Sequence, residues 1–182
     1  MLEKTDTEVL SHVCWAFSHL CDGPSSHIQQ VVSCDVCWRL VELLMHRSWR
    51  VTKPSLRAIG NIVCAEDEQD YTQRVIECGA VTCLRQLIGH SNGEIQKEAC
   101  WTLSNIAAGT ADQIQCVLDS GSIPPLVNLA SAKETDPEVK SEACWVVLNA
   151  TSCGSDEQVG RVLAVSVVAS LSLSSSFFRS SI

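Results

Sequence analysis

The stretch Glu98-Ala-Cys-Trp-Thr-Leu-Ser-Asn105 returns as Glu142-Ala-Cys-Trp-Val-Val-Leu-Asn149, 44 residues downstream. A weaker copy, Leu56-Arg-Ala-Ile-Gly-Asn61, lies 44 residues upstream of the first, and Cys14-Trp-Ala-Phe-Ser-His19 lies 42 before that. A period in this range excludes most folds. It belongs to helical solenoids, in which each unit of two or three helices buries its apolar face only against its neighbours. Such a chain has no single core, so its stability depends on the number of stacked units and on how the two ends are closed.

Placed on a helix, the best copy splits into two stripes. Ile95, Ala99, Thr102, Leu103 and Ile106 share an inward side at three- and four-residue spacing. Glu94, Glu98, Trp101, Asn105 and Ala108 fall on another face, where an aromatic has a carboxylate three residues before it and an amide four residues after. Repeated in stacked helices, this predicts parallel rows of Trp and Asn along one side of the molecule, with acid beside them. Asn105 and Asn149 lie a few residues before the closing glycines, which makes helix capping the weaker reading of those amides. Trp38 and Trp49 have no repeat counterpart and read as packing residues or partly exposed aromatics.

The net charge of −8 in 182 residues argues against general binding of nucleic acid or anionic membrane and favours basic partners. Eleven cysteines, an odd count without a secretory signal peptide, point to a reducing compartment and free thiols. Cys14, Cys100 and Cys144 share one repeat position, as a packing slot does. No apolar run is long enough to span a membrane, and the segment from Val159 to Phe178 is interrupted by serines. The solvated acidic run Glu66-Asp-Glu-Gln-Asp70 suits a helix start.

Taken in order, the chain reads as a solenoid over 1–165 and a Ser-rich, disordered tail over 166–182. A helix over 6–22, capped by Asp6 or Thr7 and closed by Asp22-Gly23-Pro24, forms a partial unit (6–23), so the chain is expected to begin in mid-unit. Complete units follow over about 25–66, 67–109 and 110–154, with another partial unit over 155–165. In the first unit the helices run to Ser33, from Val36 to His46, and to near Ala65. The third contains Pro54, which predicts a start near Lys53 or a kink there. Gly79 and Gly121 separate the first two helices of the later units, and Asp35 stands at the matching place, a poorer residue if positive φ is required. Ser91-Asn-Gly-Glu94 fits a capping box, and Asp136-Pro137 supplies an N-cap with proline at the first helical position. Eight serines between Ser166 and Ile182, with no second copy of the helix pair, predict the tail.

The three-helix period with a third helix ending in Trp-x-x-x-Asn resembles armadillo repeats. Trp15-Ala-Phe-Ser-His19 with Leu20-Cys-Asp-Gly-Pro24, Leu56-Arg-Ala-Ile-Gly-Asn-Ile-Val63 with Asp67-Glu-Gln69, and Ile95-Gln-Lys-Glu-Ala-Cys-Trp-Thr-Leu-Ser-Asn-Ile106 resemble consecutive units in the second half of the importin alpha array. The likeness covers about residues 6 to 160. It implies an all-α, right-handed armadillo-repeat solenoid of three complete three-helix repeats with partial units at both ends. It also implies a nuclear import adaptor that binds basic nuclear localisation signal peptides of cargo proteins in a concave groove, antiparallel to the array, at the family's minor site. Trp101 and Trp145 would be the walls for Lys or Arg stems, Asn105 and Asn149 would hold the peptide backbone, and Glu98 and Glu142 would meet the cationic tips. Asn61, Val63, Asp67 and Ser104 would add contacts at one end, with Arg57 near the segment joining the two basic clusters of a bipartite signal.

The resemblance further implies residence in cytoplasm and nucleus, no cofactor, no nucleic acid and no membrane. The family's amino-terminal autoinhibitory segment, its major-site units and its later units are missing from the match, so importin beta is expected as a partner only if the amino-terminal segment is supplied elsewhere. His19 stands at an Asn or Tyr position of the family. The residues also admit a truncated armadillo scaffold without independent signal binding, and a truncated product too poorly capped to stay monomeric.

The chemistry of the residues agrees with the adaptor reading. An Asn amide donates to a carbonyl and accepts from an N–H at once, so a row of them holds any extended backbone. A cation over a Trp face contributes roughly 0.5 to 2 kcal/mol according to burial. Cys34-x-x-Cys37 lacks a second pair at zinc spacing. His12, His19, His46 and His90 lie in no nucleophile–base motif, and no Gly-rich phosphate loop is present, so an enzyme is not expected.

Overall fold

A computed structural model describes residues 6–65 and 70–179, with side chains described as far as Val167. The described residues form eleven helices and no strand. They are α1 Thr7–Cys21, α2 Ser25–Ser33, α3 Cys37–Leu43, α4 Trp49–Val63, α5 Tyr71–Glu77, α6 Ala80–Leu87, α7 Gly93–Ala107, α8 Ala111–Asp119, α9 Ile123–Ser131, α10 Pro137–Cys153 and α11 Asp156–Arg179. The long helices α1, α4, α7 and α10 pack against one another in succession, and α4, α7 and α10 each rest on the short helix before them. The result is an all-helical armadillo solenoid whose apolar interior runs from Leu10 to Val162.

Local chemistry sets the helix ends. Asp6 caps α1 by accepting from the backbone N–H groups of Glu8 and Val9, and Asp136 caps α10 with Pro137 at its first position. Asn92, not Ser91, caps α7, accepting from Glu94 and Ile95 N–H, because an amide oxygen one residue later reaches the same orphan donors. The glycines at the matching joints are left-handed, Gly79 at φ 88° and Gly121 at φ 70°, and Asp35 takes φ 52° at the third. Asp tolerates this region better than most residues, and its carboxylate pairs with Arg74 at 2.8 Å.

α4 starts at Trp49, ahead of Lys53, and carries Pro54 in its interior. Pro54 has no N–H for the carbonyl of Arg50, four residues back. The Ser11 hydroxyl of α1 donates to that carbonyl at 2.8 Å, so the neighbouring helix satisfies what the proline leaves open. At the next two interfaces the same rung is an ion pair: Lys53 with Glu94 at 2.6 Å and Lys97 with Glu138 at 2.7 Å.

The shared cysteine position is fully buried at Cys14 and Cys100 but exposed at Cys144, because no counterpart of α4, α7 and α10 follows α10 among the described residues. Burial pushes the Cys14 thiol up to about 11 and the Cys100 thiol to about 12, which keeps both protonated as apolar filler. The chain does not lose regular structure at 166, for α11 continues to Arg179. After Gly160 it contains no glycine or proline, and alternating Ser with Val, Ala and Leu gives no residue that forbids a helix.

Candidate functional site

α4, α7 and α10 place Arg57, Trp101 and Trp145 at one repeat position on adjacent helices. The Arg57 guanidinium lies over the Trp101 ring, its Cζ 5.3 Å from the ring centroid, and its Nη2 pairs with Glu98 Oε1. Glu98 is 5% exposed. Burial raises its pKa above the ordinary carboxylate range, with Arg57 opposing, and its Oε2 has no hydrogen-bond partner among the described residues. The far edge of Trp101 rests on Gly60, where an added Cβ would collide with Cζ3 of the indole. The pair of Trp and Glu on α7 is therefore already occupied by a cation from within the chain.

α10 repeats that pair without the occupant. Trp145 is 50% exposed. Glu142 makes no ion pair among the described residues, and burial raises its pKa, with Lys97 opposing and Glu138 adding. Lys97 itself is held by Glu138. The repeat position that sends Arg57 over Trp101 is filled on α7 by Trp101 itself, so no guanidinium stands at the equivalent position before Trp145. A half-exposed indole with an unpaired carboxylate one turn before it is a place for an ammonium or guanidinium head with an aliphatic stem.

The amides are partly committed to the fold. Asn61 Nδ2 donates to the Ser18 carbonyl at 3.0 Å, and Asn149 Nδ2 donates to the Ser104 carbonyl at 2.9 Å. The same rung is broken at Asn105, whose buried Nδ2 has no partner, although the matching carbonyl belongs to Gly60 under the Trp101 ring. Asn61 and Asn149 each retain an Oδ1 and a second N–H for another backbone, whereas both N–H groups of Asn105 sit on its buried Nδ2.

Not every expected contact residue is open. Ser104 is 4% exposed, with its hydroxyl on the Trp101 carbonyl at 2.8 Å and its own carbonyl on Asn149, so it positions Asn149 instead of presenting a free hydroxyl. Val63 is 6% exposed and packs inward. Glu98 has one oxygen on Arg57, so of the two carboxylates Glu142 is the one without a cation. Asp67 lies outside the described residues. Trp38 and Trp49 are exposed. Among the described residues no cluster of His, Cys, Asp or Glu could hold a metal ion, and no helix is long and apolar enough to cross a membrane.

Sequence reasoning missed two supports of the site. Gly60 is the seat of the Trp101 ring. Lys97 lies close enough to lower the pKa of Glu142. The second was readable, because Lys53 and Lys97, like Glu94 and Glu138, stand 44 residues apart.

A family model described as Armadillo/beta-catenin-like repeat matches residues 68–108 and 110–152. The chain is 48% identical over 135 residues to importin subunit alpha-1a of Oryza sativa subsp. japonica, a match covering 74% of this chain and 25% of that protein. It is 50% identical over 134 residues to importin subunit alpha-4 of Arabidopsis thaliana, at 74% and 25%. Among solved structures, a designed armadillo repeat protein in complex with the peptide (KR)4 superimposes with a TM-score of 0.83 at 32% identity, over 90% of this chain and 66% of that one. Another designed armadillo repeat protein gives 0.83 at 30% identity, over 90% and 67%. The chain thus spans about a quarter of the length of the importin alpha relatives.

Proposed function

The chain belongs to the armadillo-repeat family, with importin alpha subunits among its relatives, and from that premise we propose that it binds basic nuclear localisation signal peptides across α4, α7 and α10, as an import adaptor's minor site does. The importin alpha armadillo family is a non-enzymatic adaptor family, and the reading adds cytoplasm and nucleus as its location. The observation that carries the proposal is Arg57. The fold itself seats a guanidinium on one Trp/Glu pair and leaves the same pair empty one repeat later. A Lys or Arg stem enters between Trp101 and Trp145, its charge meets Glu142, and the amide oxygen of Asn105 and the free groups of Asn149 hold the peptide main chain. A related designed protein is crystallised with an alternating Lys-Arg peptide, which supports the same ligand chemistry here.

The test is an anisotropy titration with two peptides that differ only in one central lysine, replaced in the second by norleucine. The lysine peptide binds the wild-type chain more tightly, and Glu142→Gln removes most of the difference while Trp145→Ala weakens both peptides. Equal affinity of the two peptides for the wild-type chain would overturn the assignment of Glu142.

A further inference from the structure

The first complete unit carries an outer surface that its two successors lack. Trp38, Met45 and Trp49 are 53%, 45% and 49% exposed. Trp38, Glu42 and Met45 share one side of α3 and of the turn after it, at four- and three-residue spacing, and Trp49 opens α4 directly after that turn. Missing neighbours do not explain this exposure. In the middle unit, which has a unit stacked on each side, the equivalent Thr82, Gln86, Gly89 and Gly93 are exposed as well, and so are Pro124 and Pro137 in the third unit. These positions face solvent in every unit, and only the first fills them with two indoles and a thioether.

The charge changes with the side chains. Arg47 and Arg50 are exposed and make no ion pair among the described residues. Arg50 stands where Glu94 and Glu138 pair with a lysine of the preceding long helix. α1 has Ser11 at the place of that lysine, and its hydroxyl goes to the Arg50 carbonyl. Glu42, the acid of the stripe, is paired with Arg39. In a chain of net charge −8, this is a local excess of cation beside exposed aromatic surface. Aromatic residues, Met and Arg are the types that interfaces concentrate, whereas Lys and Glu are depleted there. The turn is also braced. The Ser48 N–H donates to His46 Nδ1 at 3.1 Å, and the Thr52 hydroxyl donates to the His46 carbonyl at 3.1 Å. Met45, Arg47 and Trp49 are therefore presented with little chain freedom left to lose on binding.

We infer that this surface docks a short acidic peptide segment carrying an aromatic or large aliphatic side chain. Its carboxylates meet Arg47 and Arg50, and its apolar side chain packs on Trp38 and Trp49, with Met45 adapting to its shape. Attraction to two arginines is local, reaching about 8–10 Å, one Debye length. A nucleic acid or an anionic membrane would extend past them and meet the acid of the rest of the chain, so a short segment fits and an extended polyanion does not. The ligand charge is opposite to the one proposed for the groove across α7 and α10, and the inference stands apart from that reading.

A phage-displayed library of random dodecapeptides, panned on the wild-type chain, finds the ligand class, and anisotropy of an enriched acidic peptide carrying fluorescein reads the surface. Peptides that combine Asp or Glu with Phe, Trp or Leu are enriched, and their binding weakens as salt rises. Two double variants take residues that the later units carry: Trp38→Thr with Trp49→Pro, and Arg47→Ser with Arg50→Glu. Each loses about tenfold or more in affinity for the enriched peptide while far-UV circular dichroism keeps its wild-type helix signal. Trp38→Gln and Arg50→Gln replace a double variant that loses helix. A selection without acidic peptides overturns the inference. So do acidic peptides that bind the variants as tightly as wild type, or an oligothymidylate or phosphatidylserine vesicle that outcompetes the peptide and is lost in the same variants.

Discussion

Arg57 is the residue on which the site turns, because it occupies one Trp/Glu pair and leaves the next open. Removing it strands Glu98, which is 6% exposed at its side chain, as a buried charge without a partner. Breaking a buried pair costs about 3–5 kcal/mol when both members are buried. Arg57 is 42% exposed, so solvent screens the loss and Arg57→Ala should cost roughly 2 kcal/mol, a fall of about 4–8 °C in Tm. Chemical denaturation checks this, and Glu98→Gln added to Arg57→Ala should recover much of the loss. The raised pKa of Glu98 means that its contribution to stability is full below the ordinary carboxylate range and is lost as pH rises through the raised value. Glu142, also raised, gains a proton before exposed carboxylates do as pH falls. Affinity for a basic peptide should drop in that window, and titrations of Glu142→Gln across the same pH range should be flat. The Trp, Asn and Glu positions were legible from their recurrence. The commitment of Arg57 to Glu98 was not, because the 41-residue offset joins two different repeat positions and becomes contact only once α4 and α7 pack.

At the scale of elements, the helices follow from caps, glycines and apolar spacing, and the misreadings have local causes. Of the two readings Pro54 allowed, a start near Lys53 fails because α4 begins at Trp49, and the carbonyl the proline leaves open, that of Arg50, is met by Ser11, 39 residues away from it. Ser11→Ala should therefore cost about 1 kcal/mol in the wild-type chain and much less in a Pro54→Ala background, where the helix supplies its own bond; a double-mutant cycle by denaturant melts measures the difference. Gly60 ties packing to the site. Gly60→Ala drives a methyl into the Trp101 ring, and overpacking of this kind costs about 1–3 kcal/mol. The indole must shift off its seat, so both stability and peptide affinity should fall, as melting curves and anisotropy would record. In α11, Val162 and Val165 hold the first part of the helix to α8 and α9, and serine, which only weakly disfavours a helix, does not stop it at 166.

For the whole molecule, the 44-residue period dictates a stack of three-helix units, and stacking aligns Trp and Asn along adjacent long helices. A net charge of −8 gives the molecule a field that draws in basic ligands and weakens with salt. The most direct measurement is a titration of a fluorescent bipartite basic peptide against the wild-type chain and a Trp101→Ala, Trp145→Ala double variant, at low and at physiological salt. Each aromatic face contributes roughly 0.5–2 kcal/mol. The double variant should therefore lose about tenfold or more in affinity, and wild-type binding should weaken as salt rises. Equal binding by the two proteins, both helical and monomeric, would contradict the groove assigned to α7 and α10.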